Sequence, residues 1–316
     1  MFKKILIANR GEIALRLVRA VQDLGTRSVA VYAQADARAL HVRQADEALA
    51  LDATGPAAYL DIARIIALAR QAGCDAVHPG YGFLSERADF AQACLDAGLV
   101  FIGPTVTQLA LFGDKARARA RAQECGVPLM PGSAGAVTLA QAQAFLAAQS
   151  GTAKRAGMMI KAIGGGGGRG MRAVLQAGEL PEAYARCVSE AAAFGVEGVY
   201  VERLMPRARH IEIQIIGDGA QVLSLGEREC SLQRRFQKLV EIAPSPSLSE
   251  ALRSSITQAA LQLAQAVNYR SLGTFEFLVD EEGASDLPFV FIEANTRLQV
   301  EPTVTVNAPT SASVPL

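Results

Sequence analysis

The sequence has few of the residues that build disulfide frameworks or metal clusters. Its 316 residues include five cysteines and three histidines, and the scattered cysteines form no CxxC pair. A disulfide scaffold, a zinc site or a histidine-built metal site is therefore not expected. Reduced thiols in the cytoplasm are the default for such a chain.

The sequence also lacks an excess of charge and a long apolar run. Its 31 basic residues balance 31 acidic ones, which makes nucleic acid a poor partner because its binding depends on phosphate neutralisation. The most apolar helix-like stretch, residues 59–71, is interrupted by Asp61, Arg64 and Arg70. The first residues, MFKKILIANRG, contain too short an apolar core for a signal peptide. We expect no nucleic-acid partner and no membrane partner.

The first part of the chain alternates strand and helix patterns. Strand-like segments occur at residues 3–8, 27–33, 74–80 and 99–104, with helix-like segments between them. Strands separated by helices of this length indicate a parallel sheet with crossover helices. The pattern predicts an α/β, Rossmann-like domain over residues 1–113.

From Asp114 the pattern changes to α+β. An Ala/Arg-rich helix comes first, and its arginines Arg117, Arg119 and Arg121 form no common stripe, so we expect them to be solvated. Strands follow at residues 158–162, 170–174 and 199–203. Two antiparallel strands joined at residues 218–219, a long helix and two final strands complete the pattern.

A run of five glycines follows Lys161 between two predicted strands. Glycines let the backbone approach phosphates closely, and Lys161 adds a positive charge to the same place. A bare glycine run is as often a flexible linker, although a linker is unusual between two strands of one compact unit. The run is not a P-loop, which needs Lys-Ser or Lys-Thr after its last glycine. The residues of this run are Gly164, Gly165, Gly166, Gly167 and Gly168.

The last predicted strand, residues 289–301, alternates polar and apolar residues. If it is extended throughout, one face carries Glu293, Asn295, Arg297, Gln299 and Glu301. With Glu276 on the preceding strand, these carboxylates and the amide form a plausible oxygen-ligand set for magnesium. A solvated sheet face remains the alternative.

A third polar signal lies at residues 230–238, directly after a predicted strand. Its cationic end suits an anion or nucleotide, although such a segment alone is more often a basic loop. In the preceding strand His210, Glu212 and Gln214 share one face, opposite three isoleucines. A lone histidine on such a strand is more often structural than catalytic.

These segments together resemble the biotin carboxylase branch of the ATP-grasp ligases. The resemblance runs to Glu301 and rests on ordered motifs: KILIANRGEIALR, HPGYGFLSE, FIGP, GDK, the glycine run, RHIEIQ, CSLQRRFQK, GTFEF and FIEANTRLQVE. It implies a Rossmann-like domain over residues 1–113 and an ATP-grasp domain over 114–301, with a glycine-rich lid at about 131–203. Residues 302–316 are expected to form a disordered tail, with the family's C-terminal domain absent, as in a truncated chain.

The resemblance also implies roles for individual residues. Two Mg²⁺ or Mn²⁺ ions would be held by Glu276, Glu293 and Asn295. Bicarbonate would be bound by Lys238, Arg297, Gln299 and Val300, with Glu301 as the general base and Arg297 and Lys238 as further catalytic groups. ATP would contact Lys115, Lys161, the five glycines, Glu202, Arg203, Met205, His210, Gln233, Glu276 and Glu293.

The implied activity is that of a ligase that phosphorylates bicarbonate with ATP. The resulting carboxyphosphate would carboxylate biotin on a carrier protein or domain, forming a C–N bond. A carboxyltransferase subunit, as in acetyl-CoA or another acyl-CoA carboxylase, would be a further partner, and the full-length family suggests a homodimer. Another ATP-grasp ligase, similar to carbamoyl-phosphate synthetase, and a non-catalytic ATP-binding fragment remain open.

Overall fold

The computed structural model describes residues 2–149, 157–163, 170–193, 198–234, 237–281 and 287–306. Within these residues the chain forms three β-sheets. The predicted phosphate loop, residues 164–168, lies outside the described residues, as do residues 307–316. No helix in the described part is long and apolar enough to cross a membrane.

The first sheet is parallel and confirms the predicted Rossmann-like unit. Its strands are β1 (Lys4–Ile7), β2 (Arg27–Tyr32), β3 (Glu47–Ala50), β4 (Ala76–His78) and β5 (Val100–Phe101), and its helices are α1 (Gly11–Asp23), α2 (Leu40–Gln44), α3 (Ile62–Gln71) and α4 (Ala88–Asp96). The spatial order is β3-β2-β1-β4-β5. Leu6, Val29 and Val77 from the strands share a core with Phe90 from α4. Strand β3 was not predicted, because Glu-Ala-Leu-Ala contains no β-branched or aromatic residue.

Two helices, α5 (Val106–Phe112) and α6 (Lys115–Glu124), connect the first sheet to the rest of the chain. The Asp114 carboxylate accepts two backbone N–H groups at the start of α6, which fixes Lys115 as its first residue. The prediction that Arg119 is solvated is wrong. Its side chain is only 15 % exposed, and its guanidinium donates to the carbonyl oxygen of Met130 at 2.8 Å.

The second sheet is a small antiparallel unit. Its strands are β6 (Met158–Ala162), β7 (Met171–Val174) and β8 (Val199–Arg203), in the order β7-β6-β8. Helices α7 (Leu139–Gln149) and α8 (Leu180–Ala193) cover one face, and Ile160 and Val201 lie in the core between them. Because strand side chains alternate, Lys161 and Glu202 are directed to the opposite face.

The third sheet is antiparallel and carries six of the predicted site residues. Its strands are β9 (Ala208–Asp218), β10 (Val222–Arg234), β11 (Gln237–Ile242), β12 (Arg270–Asp280) and β13 (Phe289–Asn295), in the order β11-β10-β9-β12-β13. Helix α9 (Glu250–Gln265) covers one face. On that face Ile211, Ile213 and Ile215 of β9 pack against Phe275 and Phe277 of β12. The alternation predicted for β9 is confirmed.

The later strands differ from the sequence pattern in two respects. Residues 230–234 extend β10, and β11 begins at residue 237, so this segment is largely strand rather than a loop. The final strand stops at Asn295 instead of running to Glu301. Beyond the strand, Arg297 pairs with Glu86, and the buried Gln299 side chain accepts from Arg228.

The tail predicted to be disordered begins with a helix, α10 (Pro302–Val306). Proline suits a first helical position because that N–H has no partner within the helix and its φ is already helical. Thr305 is buried and its hydroxyl accepts from Arg228 at 3.1 Å, which anchors the helix to β10. The prediction therefore fails for residues 302–306.

Candidate active site

Three carboxylates lie side by side on the face of the third sheet that α9 leaves uncovered. In the strand register Glu212 of β9 is opposite Glu276 of β12, and Glu276 is opposite Glu293 of β13. We call these residues the acidic row. Like charges at directly opposed positions are destabilising. The row is therefore stable only with cations beside it.

Three cationic side chains compensate Glu212 and Glu276. The ammonium of Lys238 contacts the Glu212 carboxylate and lies 3.0 Å from Glu276 Oε1. The ring Nε2 of His210 lies 2.8 Å from Glu276 Oε2 and 3.3 Å from Glu212 Oε1. Arg228 Nη2 lies 2.6 Å from Glu212 Oε2. Sequence reasoning placed Glu212 on the same face as His210 but gave it no role, and it missed Arg228.

The pKa values follow from this arrangement. Burial alone would lower the pKa of His210, but the carboxylates of Glu276 and Glu212 outweigh burial and raise it to about 9. The same two carboxylates raise the pKa of Lys238 against the effect of burial. Burial would raise the pKa of Glu212, yet His210, Lys238 and Arg228 together hold it well below its usual range. His210, Glu212 and Glu276 lie close enough to share a metal ion, but His210 acts here as a cation.

At the Glu293 end of the acidic row, neighbouring cations compensate the negative charge less fully. Burial and then the Glu276 charge raise the pKa of Glu293, against the attraction of Lys115, whose Nζ is 3.7 Å away. Two facing carboxylates that repel each other are suited to a hard cation with oxygen ligands, so these residues fit magnesium. Asn295 stands beside them: its amide nitrogen donates to Glu276 Oε1 at 2.5 Å, and its amide oxygen accepts from Arg297 at 3.2 Å.

The residues predicted to bind bicarbonate contact different strands of the sheet: Lys238 lies on β11, Gln299 contacts Arg228 of β10, and Arg297 contacts Asn295 of β13. Arg297 donates to both Asn295 and Glu86, and the second of these contacts was not predicted. Gln299 is buried, whereas Val300 is 60 % exposed.

Glu301 lies near Glu241 of β11. Burial, followed by the charges of Glu301 and Glu212, raises the pKa of Glu241 to about 7.

A second polar cluster lies on the face of the second sheet opposite α7 and α8. Lys161 and Glu202 are both buried and in contact, and Arg119 Nη1 lies 3.4 Å from Glu202 Oε2. Burial would lower the pKa of Lys161, but the Glu202 charge raises it, so the ammonium stays charged. Beside this cluster is a cavity of about 210 Å³ lined by residues that include Lys115, Arg119 and Tyr200.

The remaining predicted nucleotide residues are divided between the two clusters. Gln233 Nε2 donates to the Cys230 carbonyl at 2.8 Å and lies 3.2 Å from His210 Nδ1, which joins it to the acidic row. Arg203 ends β8, and Met205 follows it as a partly exposed residue. The five glycines lie outside the described residues, so their relation to either cluster stays a prediction.

The family models cover nearly the whole chain in two parts. Residues 1–109 match the model described as "Biotin carboxylase, N-terminal domain". Residues 114–311 match that described as "Carbamoyl-phosphate synthase L chain, ATP binding domain".

Individual relatives agree with these matches. A biotin carboxylase of Nostoc sp. is 50% identical over 307 residues, covering 96% of this chain and 67% of that protein. Pyruvate carboxylase 1 of Caenorhabditis elegans is 50% identical over 308 residues, covering 96% of this chain and 26% of that protein. The biotin carboxylase domain dimer of Hydrogenobacter thermophilus 2-oxoglutarate carboxylase was crystallised with MgADP, ADP and bicarbonate. It superposes with a TM-score of 0.90 at 42% identity, covering 96% of this chain and 66% of that one.

The chain therefore spans about two thirds of the biotin carboxylase and a quarter of the pyruvate carboxylase to which it is similar. Matches of this identity over 96% of the chain, together with a shared fold, establish common family membership. The chain belongs to the biotin carboxylase family of ATP-grasp proteins.

Proposed function

We propose that this chain binds MgATP and bicarbonate and converts them to ADP and carboxyphosphate, which then carboxylates biotin on a carrier protein or domain. The observation that supports this most strongly is that hydrogen bonds and an ion pair connect the acidic row to two of the predicted bicarbonate residues. Asn295 joins Glu276 to Arg297, and Arg228 joins Glu212 to Gln299. A related structure was crystallised with MgADP and bicarbonate together.

Glu276 and Glu293, with Asn295 beside them, would hold two Mg²⁺ or Mn²⁺ ions. These ions would supply positive charge to the transferring phosphoryl group. The carboxylates themselves would keep the metal next to the bicarbonate residues, because Glu276 is fixed by Lys238 and His210.

The nucleotide phosphates would contact Lys115 and Lys161, and the glycine run would cover them. Lys161 suits this role because Glu202 keeps its buried ammonium charged. Glu202, Arg203 and Met205 at the end of β8 would hold the adenine. His210 and Gln233 would complete the nucleotide contacts.

Lys238, Arg297, Gln299 and the Val300 backbone would hold bicarbonate, and Glu301 would accept its proton. A bicarbonate oxygen then forms a bond to the γ-phosphorus, the bond from that phosphorus to the bridging oxygen breaks, and ADP leaves. Bicarbonate is a weak nucleophile until it loses its proton, so a base within hydrogen-bond reach is required.

Residues 1–113 would form the Rossmann-like domain and 114–301 the ATP-grasp domain, with the lid at about 131–203. A biotin carrier, a carboxyltransferase subunit and a homodimer would be the partners. Such assembly is supported by the names of relatives, which include a pyruvate carboxylase and a biotin carboxylase domain dimer. A cytoplasmic location is supported by the five free cysteines.

Bicarbonate-dependent ATP hydrolysis tests the proposal. The wild-type chain should release phosphate from MgATP faster when bicarbonate is added. Glu301→Gln should remove that stimulation, whereas Glu124→Gln, at the exposed end of α6, is the matched control and should keep it. If bicarbonate does not change the rate at which the wild-type chain hydrolyses ATP, the proposed function is refuted.

A further inference from the structure

Arg228 is a charged residue with a fully buried side chain, and it has no role in the reaction described above. Its side chain is 0% exposed, in the middle of β10. Both terminal nitrogens of the guanidinium contact polar side chains from four other parts of the chain. The side chains within 3.1 Å of these nitrogens are those of Glu212, Gln214, Thr274, Gln299 and Thr305.

The contact with Gln299 fixes which end of that amide faces Arg228. A guanidinium has five N–H donors and no acceptor, so the atom that meets it has to be the amide oxygen. Arg228 Nη2 donates to Gln299 Oε1 at 2.8 Å, and the hydroxyl of Thr274 donates to the same oxygen at 2.5 Å. The amide nitrogen of Gln299, with its two N–H donors, is therefore turned away from Arg228.

We infer that Arg228 is a positioning residue that orients the Gln299 amide so that its N–H donors face bicarbonate. This inference rests on the proposed function, in which Gln299 binds that anion. A side-chain amide has two ends of similar shape and opposite polarity. If it flipped, the carbonyl oxygen would face the anion and repel it. Arg228 excludes that orientation because an N–H₂ group facing its donors would be repelled in turn.

A lysine at this position would not reproduce the arrangement. The guanidinium is a rigid planar fork, and here it reaches Glu212 and Gln299 at the same time. A lysine has one terminal nitrogen, and the buried Glu212 carboxylate would attract it in preference to a neutral amide. Arg228→Lys thus keeps the positive charge beside the acidic row but releases the amide of Gln299.

The test measures bicarbonate affinity by calorimetry in the presence of MgADP, for the wild type, Arg228→Lys, Gln299→Ala and the double variant. We expect Arg228→Lys to weaken bicarbonate binding about tenfold, the usual worth of a hydrogen bond to a charged group, while MgADP affinity stays within about twofold. In the Gln299→Ala background the same substitution should have almost no further effect, since the two residues act as one unit. Arg253→Lys is the control, because Arg253 also binds carboxylates and a backbone carbonyl but lies on α9.

Three results would overturn the inference. One is that Arg228→Lys binds bicarbonate with wild-type affinity, and another is that it weakens bicarbonate binding by the same factor in the Gln299→Ala background as in the wild type. The third result is that Arg228→Lys weakens MgADP binding as much as bicarbonate binding. If Arg228→Lys does not fold, Thr274→Val removes the other donor to the same amide oxygen. It should then weaken bicarbonate binding severalfold, and an unchanged affinity would refute the idea. Bicarbonate binding without ATP hydrolysis would refute only the proposed function, whereas a wild-type chain that binds no bicarbonate would refute both.

Discussion

His210 should make the stability of the fold depend on pH between pH 7 and pH 9. Its folded-state pKa of about 9 lies above the ordinary value of 6.5, because Glu276 and Glu212 outweigh burial. A raised histidine pKa contributes stability that is fully present below the unfolded value and is lost as pH rises through the folded value. This contribution is about 3 kcal/mol at low pH, of which about 2 kcal/mol disappears between pH 7 and 9.

The perturbation is His210→Gln, which can still donate a hydrogen bond but does not titrate. The free energy of unfolding is measured by urea titration at pH 7 and pH 9, in buffer with a chelator so that no metal competes for Glu276. From pH 7 to pH 9 the free energy of unfolding should fall by about 2 kcal/mol more in the wild type than in the variant. Glu241 and the cysteines titrate alike in both proteins, so their effects cancel. An equal loss in the two proteins would show that His210 is not held as a cation by the acidic row.

Two further predictions concern the nucleotide side of the site. Glu293→Gln keeps the shape of the side chain but removes an anion from the proposed metal site. Calorimetry should therefore show at least about tenfold weaker Mg²⁺-dependent ATP binding. Unchanged binding would exclude Glu293 as a metal ligand. Arg119→Ala should lower the free energy of unfolding by about 2 kcal/mol, because it removes the contacts of a largely buried guanidinium with Glu202 and the Met130 carbonyl, although Lys161 still pairs with Glu202. Arg117→Ala on the same helix is its control and should change the urea-unfolding free energy by less than about 0.5 kcal/mol; equal effects would contradict the buried role of Arg119.

The sequence predicted those features that depend on local periodicity. Alternating residues in β9 correctly separated the isoleucines that face α9 from His210 and Glu212 on the opposite face. The strand–helix alternation likewise predicted the parallel sheet, except for β3, whose sequence has no strand preference. Periodicity therefore located the face of the site and the class of the fold.

The sequence did not predict features that depend on contacts between distant segments. Arg228 lies between Glu227 and Glu229, a charged run typical of a solvated strand, and only the tertiary fold buries it against Gln299 and Thr305. Arg119 was misjudged for the same reason, since its partner Glu202 is 83 residues away. Buried charges of this kind become favourable only when their partners are in place.

Oxygen transfer from bicarbonate to phosphate tests the central claim most directly. The chain is incubated with MgATP and ¹⁸O-labelled bicarbonate in unlabelled water, and the released phosphate is analysed by mass spectrometry. If bicarbonate attacks the γ-phosphorus, the attacking oxygen stays with phosphate when carboxyphosphate breaks down, so each phosphate formed should carry an ¹⁸O atom from bicarbonate. Phosphate that is released without this label would mean that water attacks ATP, which would contradict the account.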